Sequence, residues 1–396
     1  MNLDIALLLG QDGITNGAIY ALLALALVLA FSVTRVIFIP QGEFVAYGAL
    51  TLVALQAGRI PGTVFLLMTA GGLVACAELV TAARKQSWRT MPTVLAWNVI
   101  YPLALFGLLK LLPMQSWPMV GQVALALAII VPLGPMVYRL AYQPLAEASV
   151  LMLLIVSVAV HVVMVGLGLL VFGAEGSRTP AFSDGTVTLG TLTASAQSLW
   201  VIGCSLVLIV AFSVLFDRTV YGKALRATAI NRLGARLMGI PTEFAGKLSF
   251  FLCALIGAVS GILIAPITTI YYDTGFLIGL KGFVAAIIGG LASYPIAALG
   301  ALLVGLIESF SSFWASAYKE VIVFTLIIPV LCGVRCERIT WKTTNEAAAK
   351  VGMASRCAGA VPARRAARAI RVLDHFAQLH RACFTGRSRA RVAYGS

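Results

Sequence analysis

The chain has 396 residues, 60% of them hydrophobic and only 11% charged, with a mean hydropathy of +0.96. Soluble domains carry roughly 25% charged residues, so this composition excludes a water-soluble globular domain and points to helices solvated by lipid. The net charge of +14 sits mostly at one end: residues 332–396 hold 13 Lys and Arg against 3 Asp and Glu, and residues 1–331 hold 16 against 12. The basic balance is a property of the tail and gives no reason to expect nucleic acid as a partner.

Apolar segments fall near 14–33, 42–57, 62–83, 93–112, 119–138, 150–172, 197–216, 246–267, 276–291, 296–314 and 321–334. Most approach the ~20 residues that span hydrocarbon. The segments at 42–57, 276–291 and 321–334 are short and read as tilted, broken or re-entrant. The expected fold is all-α, a polytopic membrane bundle of ten or eleven segments over 1–334, with a basic tail over 335–396. No basic run precedes the first apolar segment and no cleavage pattern follows it, so 14–33 reads as a retained membrane helix. Gly13 and Gly17, like Gly257 and Gly261, have the spacing that lets membrane helices approach closely.

Polar groups inside apolar runs are costly and tend to face a bundle interior or a water-filled path. Here they are Glu43, Glu78, His161, Lys281 and Glu308. Glu43 follows Pro40-Gln41-Gly42, a helix breaker. That pattern suits a broken helix whose free amides meet a polar solute, and it also suits an ordinary helix start with Glu in the first turn. Glu78 reads as a snorkelling side chain near the end of its segment, and His161 as a hydrogen-bonded packing residue or a path residue. Lys281 and Glu308 can line a path or form a buried pair. Gln41, Gly42, Glu43, Lys281 and Glu308 are the candidate substrate path, helped by the Pro and Gly cluster over 266–300.

Loop 173–196 ends in a Thr-rich, strand-like stretch around Thr186–Leu192 and reads as a small cap or a connector. The stretch from Tyr221 to Ile240 is basic and helical in pattern, between two long apolar segments. Such a patch can receive force from a soluble motor. Cys76, Cys204 and Cys253 sit singly in apolar runs, as small packing residues do. Cys332 and Cys336 have no second pair at zinc spacing. In the tail, Ala366, Ile370, Leu373 and Ala377 fall at helical spacing among arginines, which suits a helix on anionic membrane lipid. A disordered basic tail fits as well.

Loop charges orient the chain. With the N-terminus outside, the inner loops hold Arg35, Arg84, Lys85, Arg89, Arg139, Arg218, Lys223, Arg226, Arg232, Arg236 and Lys247, and the outer loops only Arg59, Lys110, Arg178 and Lys319. Eleven crossings would put the tail inside. Chemistry has little material. There is no G-x-x-x-x-G-K-[ST] loop to hold a nucleotide and no H-E-x-x-H, and His161 is the one histidine outside the tail. The chain is therefore not expected to hydrolyse ATP alone, to act as an enzyme or to hold a cofactor of its own.

Three blocks resemble the permease subunits of branched-chain amino acid ABC transporters. The first is Phe38-Ile39-Pro40-Gln41-Gly42-Glu43-Phe44 with Ala46-Tyr47-Gly48-Ala49. The second runs from Gly222 to Ile240 and is similar to the family's G-[KR]-A-x-R-A block ending A-x-x-x-G-I. The third is Gly279-Leu280-Lys281-Gly282-Phe283-Val284-Ala285-Ala286-Ile287-Ile288-Gly289-Gly290-Leu291 with Gly300 to Glu308. The likeness covers nearly all of 1–331. It departs at Ile39-Pro40-Gln41, where the family has an Asn, Ala and His run. The segments over 93–138 are longer than the family pattern, and the tail has no family likeness. The resemblance implies a multi-pass protein of the cell (inner) membrane, a second permease subunit, two cytoplasmic ATPase subunits that bind ATP, and an extracytoplasmic solute-binding protein. It implies that Gly222, Lys223, Ala224, Arg226, Ala227 and Gly239 lie in the ATPase-coupling loop. The alternatives are a related permease for amides, urea or a small sugar, and an ion-coupled secondary transporter.

Overall fold

The computed structural model describes residues 3–85, 91–111, 116–183, 185–189, 192–291 and 293–330. The basic tail and the end of the predicted 321–334 segment lie outside the described residues. In chain order the helices are α1 (Leu3–Thr34), α2 (Gln41–Gln56), α3 (Thr63–Lys85), α4 (Met91–Leu95), α5 (Tyr101–Leu111), α6 (Met119–Ile130), α7 (Leu133–Val137) and α8 (Val150–Phe172). They continue with α9 (Ala196–Arg218), α10 (Val220–Ile230), α11 (Arg232–Leu237), α12 (Thr242–Ile264), α13 (Thr274–Ile288), α14 (Tyr294–Trp314) and α15 (Lys319–Thr325). A π-helical turn at Ala96–Ile100 joins α4 to α5, and another at Tyr138–Tyr142 extends α7. Strands β1 (Thr186–Leu189) and β2 (Leu192–Ser195) form an antiparallel hairpin with Thr186 opposite Ser195.

Among the described residues, eight helical stretches are long and apolar enough to cross a membrane. The predicted short segments are short helices: α2 has 16 residues and α13 has 15, about 24 and 22 Å of helix. The result is a polytopic helical membrane bundle. Its central helix is α1, where every residue from Ala18 to Ala30 is buried. An all-round apolar surface of small and medium residues is what a helix at the middle of a bundle needs. The peripheral α5, α8 and α9 instead present residues such as Leu103, Leu170 and Val207 outward, which lipid can cover.

Both glycine pairs lie at helix interfaces. A Cβ at Gly13 would meet the Leu306 backbone and one at Gly17 the Leu302 backbone, so α1 and α14 run antiparallel in close contact. Gly257 faces Phe44 and Gln41, and Gly261 faces the Val45 carbonyl, which seats α2 along α12. Small residues gain van der Waals contact here that lipid cannot replace.

Two faces can be told apart. On one, Thr34 and Val36 line a crevice with Tyr138, Tyr142, Ala146 and Arg232 of α11. On the other, Gly62 packs on Val171, and Ser177 and Ile270 exchange backbone hydrogen bonds of 2.9 Å. Helix α9 connects the β-hairpin to α10, so loop 173–195 and the α10–α11 region belong to opposite faces.

Candidate functional site

The Pro40 break is real. Helix α1 ends at Thr34, and Arg35 turns the chain with φ 63°, a left-handed conformation common just past a helix end. The extended residues after it lead back into the bundle, where the Phe38 ring packs against Phe44, Tyr142 and Phe250. Helix α2 then starts inside the protein, with Gln41, Gly42 and Glu43 all buried. Gly42 and Gly275 meet backbone to backbone, and Gly279 packs on the Gly42 Cα. The first turns of α2 and α13 therefore meet in the interior.

This start carries polar atoms without partners. The Gln41 side chain donates through Nε2 to the Cys253 carbonyl at 2.9 Å, which leaves Oε1 free. Glu43 has no solvent exposure. The His161 Nδ1 atom of α8 lies 3.1 Å from Glu43 Oε1, but off a hydrogen-bonding direction. Gln41 Oε1, both Glu43 oxygens and His161 Nδ1 make no hydrogen bond to any described residue. The imidazole is stacked on Phe276, ring centroids 4.5 Å apart. Next to it, Tyr47 donates to the Met164 carbonyl at 2.6 Å.

Lys281 and Glu308 present the opposite picture. Lys281 Nζ lies 2.5 Å from Glu308 Oε1 and 3.1 Å from Glu320 Oε1, and Tyr20 donates to Glu308 Oε2 at 2.6 Å. The cluster ties α1, α13, α14 and α15 together. Of the two readings of these residues, the buried pair is the one the geometry supports. Glu78 is also paired, accepting from Arg139 Nε at 2.6 Å, so it does not merely snorkel. Cys253 packs as expected and its thiol donates to the Ala26 carbonyl, whereas Cys76 is on an exposed face.

The basic patch folds as α10 and α11. Thr219 caps α10 by accepting from Gly222 N at 3.0 Å, and a Cβ at Gly222 would strike the Leu215 carbonyl and the Phe216 backbone. Asn231 caps α11 by accepting from Gly234 N at 2.9 Å. Gly239 ends α11 at φ +82°, with Ile240 N bonded to Ala235 O at 3.0 Å and Gly239 N to Arg236 O at 3.1 Å. That is the paired bonding of a left-handed helix stop. Lys223 and Arg226 are exposed, and Ala224 and Ala227 are half-buried. Arg226 reaches Asp217 of its own chain at 2.5 Å. With both side chains more than half exposed, such a pair stabilises by at most ~1 kcal/mol.

The sequence reading missed the apolar part of this surface. Tyr221, Ile230, Leu233, Leu237 and Met238 are exposed, an unusual concentration for a segment off the lipid-facing belt. It also missed the contacts behind the surface. Arg232 Nη1 donates to the Ala146 carbonyl at 2.8 Å, and Gln143 Nε2 donates to Glu243 at 2.8 Å. The α10–α11 region is thereby tied to the loop that leads into α8, the helix bearing His161.

A family described as "Branched-chain amino acid transport system / permease component" matches residues 11–331. The high-affinity branched-chain amino acid transport system permease protein LivH of Escherichia coli K12 is 29% identical over 221 residues, 54% of this chain and 70% of its own length. BraD of Pseudomonas aeruginosa PAO1, described in the same words, is 30% identical over 234 residues, 57% of this chain and 76% of its own. A probable branched-chain amino acid transport permease protein, LivH of Methanocaldococcus jannaschii, is 33% identical over 114 residues, 28% of this chain and 36% of its own.

Proposed function

The chain belongs to the family of permease components of branched-chain amino acid transport systems, and from that premise we propose that it is the membrane-spanning permease subunit of an ATP-binding-cassette importer for branched-chain or related amino acids. The observation that carries the reading is the extent of the family match, residues 11–331, which takes in both the polar start of α2 and the α10–α11 surface. In this reading the chain pairs with a second permease in the inner membrane, N-terminus outside and C-terminus in the cytoplasm. Two ATPase subunits bind and hydrolyse ATP, and a solute-binding protein delivers cargo to the face of the β-hairpin.

The α10–α11 surface fits the ATPase side of this scheme. Its exposed apolar residues need cover, and Lys223 at its edge is a basic group that a partner's acids can meet. Movement of α10–α11 would reach α9 and α12 directly through the chain. It would reach α8 through Arg232 and the Ala146 carbonyl. Gln41, Gly42 and Glu43 then stand on the cargo's route, and Lys281 with Glu308 braces the helices around it.

Reconstitution of all five subunits in proteoliposomes tests the reading. The expected result is ATP-dependent uptake of labelled leucine, isoleucine or valine. Uptake of urea or a small sugar in their place, or accumulation driven by an ion gradient without ATP, would overturn it.

A further inference from the structure

Within the reading of the chain as an amino acid permease, we propose that Gln41, Glu43 and His161 hold the α-ammonium group of the cargo as it crosses the bundle. Gln41 and Glu43 are fully buried. Gln41 Oε1, Glu43 Oε1 and Glu43 Oε2 are hydrogen-bond acceptors without a donor among the described residues. Buried polar atoms are normally satisfied, and a group of unsatisfied ones at a single place needs a cause. The cause here is a missing donor, not a missing acceptor.

The neighbouring elements do not supply that donor. The Cys253 thiol of α12 is committed to the Ala26 carbonyl, and the Tyr47 hydroxyl to the Met164 carbonyl. Lys281 of α13 is engaged by Glu308 and Glu320. Helix α6 has no titratable side chain. His161 Nδ1 lies 3.1 Å from Glu43 Oε1 but makes no hydrogen bond to it, its ring stacked on Phe276.

The chemistry selects among ligands. An ammonium brings three N–H donors and one positive charge. It meets three acceptors of which two belong to a carboxylate, and charge-assisted bonds of this kind are roughly twice as strong as neutral ones. A carboxylate would be repelled by Glu43, and a sugar hydroxyl would donate without offsetting the charge. In an amino acid the cationic end is therefore the end this cluster recognises. The Gly42 backbone beside the cluster packs on Gly275 and Gly279 of α13.

The test uses the assembled transporter, trapped with vanadate, with ¹⁵N-leucine as probe and the permease labelled with ¹³C at glutamate carboxylates. Solid-state dipolar recoupling should show the leucine nitrogen close to a side-chain carboxylate in the wild type, and the signal should vanish in Glu43→Gln. At matched assembly, Glu43→Gln should lower leucine uptake about tenfold or more, and Glu43→Asp should restore a part of it. Wild-type transporter that carries leucine but shows no nitrogen–carboxylate proximity, or a signal that survives in Glu43→Gln, would overturn the assignment and leave the permease reading standing. Wild-type transporter that carries no branched-chain amino acid would bring down both.

Discussion

Glu43 and Glu308 are two buried carboxylates in neighbouring parts of one bundle, and their surroundings differ completely. Glu308 is held by Lys281 and by the Tyr20 hydroxyl, and Lys281 has Glu320 as a second partner. Glu43 has an imidazole at 3.1 Å and no hydrogen bond among the described residues. A buried charge with every partner in place contributes to holding helices in register, and removing one member leaves the rest exposed to the full desolvation cost. A buried carboxylate without a hydrogen bond contributes less of such a brace. Under the proposal above, its partner is the ammonium group of the cargo.

The largest expected effect falls on the satisfied cluster. Lys281→Leu leaves Glu308 buried with Tyr20 alone and should destabilise by about 3–5 kcal/mol, the range for breaking a buried ion pair. Thermal unfolding in nanodiscs measures it. The double substitution Lys281→Met with Glu308→Leu should recover part of that loss, because it removes the buried unpaired charge and leaves only a neutral group, the Tyr20 hydroxyl, without its acceptor in the interior. A double variant as unstable as the single one would show that the cluster does not act as a pair.

Next in size is the α10–α11 surface proposed for coupling, where apolar area rather than charge is exposed. Ala227 is half-buried on α10, and Ala227→Glu places a carboxylate in the seam beside it. Uptake should fall more than about tenfold, or ~1.4 kcal/mol, with membrane insertion intact. Co-purification of the ATPase subunits, followed by the ratio of ATP hydrolysed to cargo moved, checks the outcome. Normal coupled uptake would place the ATPase contact elsewhere.

Sidedness gives a qualitative check on the frame in which both clusters sit. Single cysteines at Ser183 and Asn231, in an otherwise Cys-free background, should react from opposite sides of intact cells. Reaction from one side would contradict the two-faced arrangement set by α9. The smallest effect belongs to the tail. The family match ends at residue 331, so truncation after Val334 should leave assembly and uptake nearly unchanged at matched membrane levels.

Much of the bundle was legible because hydrocarbon imposes a length and an apolar composition on each helix. The short segments at α2 and α13 and the Pro40 break could be read for the same reason. The first helix was read too short. Asp4, Gln11, Asp12 and Asn16 interrupt the hydropathy, but α1 continues through them from Leu3. Glu43, Lys281 and Glu308 stood out as charges in apolar runs. Their fates did not, since the Lys281–Glu308 contact spans 27 positions and the Tyr20 contact 288. Nothing in the spacing of Tyr20 or Glu320 marked them as members of that cluster. Leu233, Leu237 and Met238 escaped notice because apolar residues in a short helix read as core until the packing leaves them outside.

Parallel measurement of stability and transport in Glu43→Gln and Glu308→Gln tests the difference between the two carboxylates most directly. Both substitutions keep size and remove charge. The predicted result is a crossed pattern: Glu43→Gln retains the wild-type melting temperature and assembly but loses leucine uptake, while Glu308→Gln melts earlier and assembles less, with uptake per assembled transporter preserved. If Glu43→Gln instead unfolds the bundle with its residual transporters fully active, Glu43 is a structural residue and the account is contradicted.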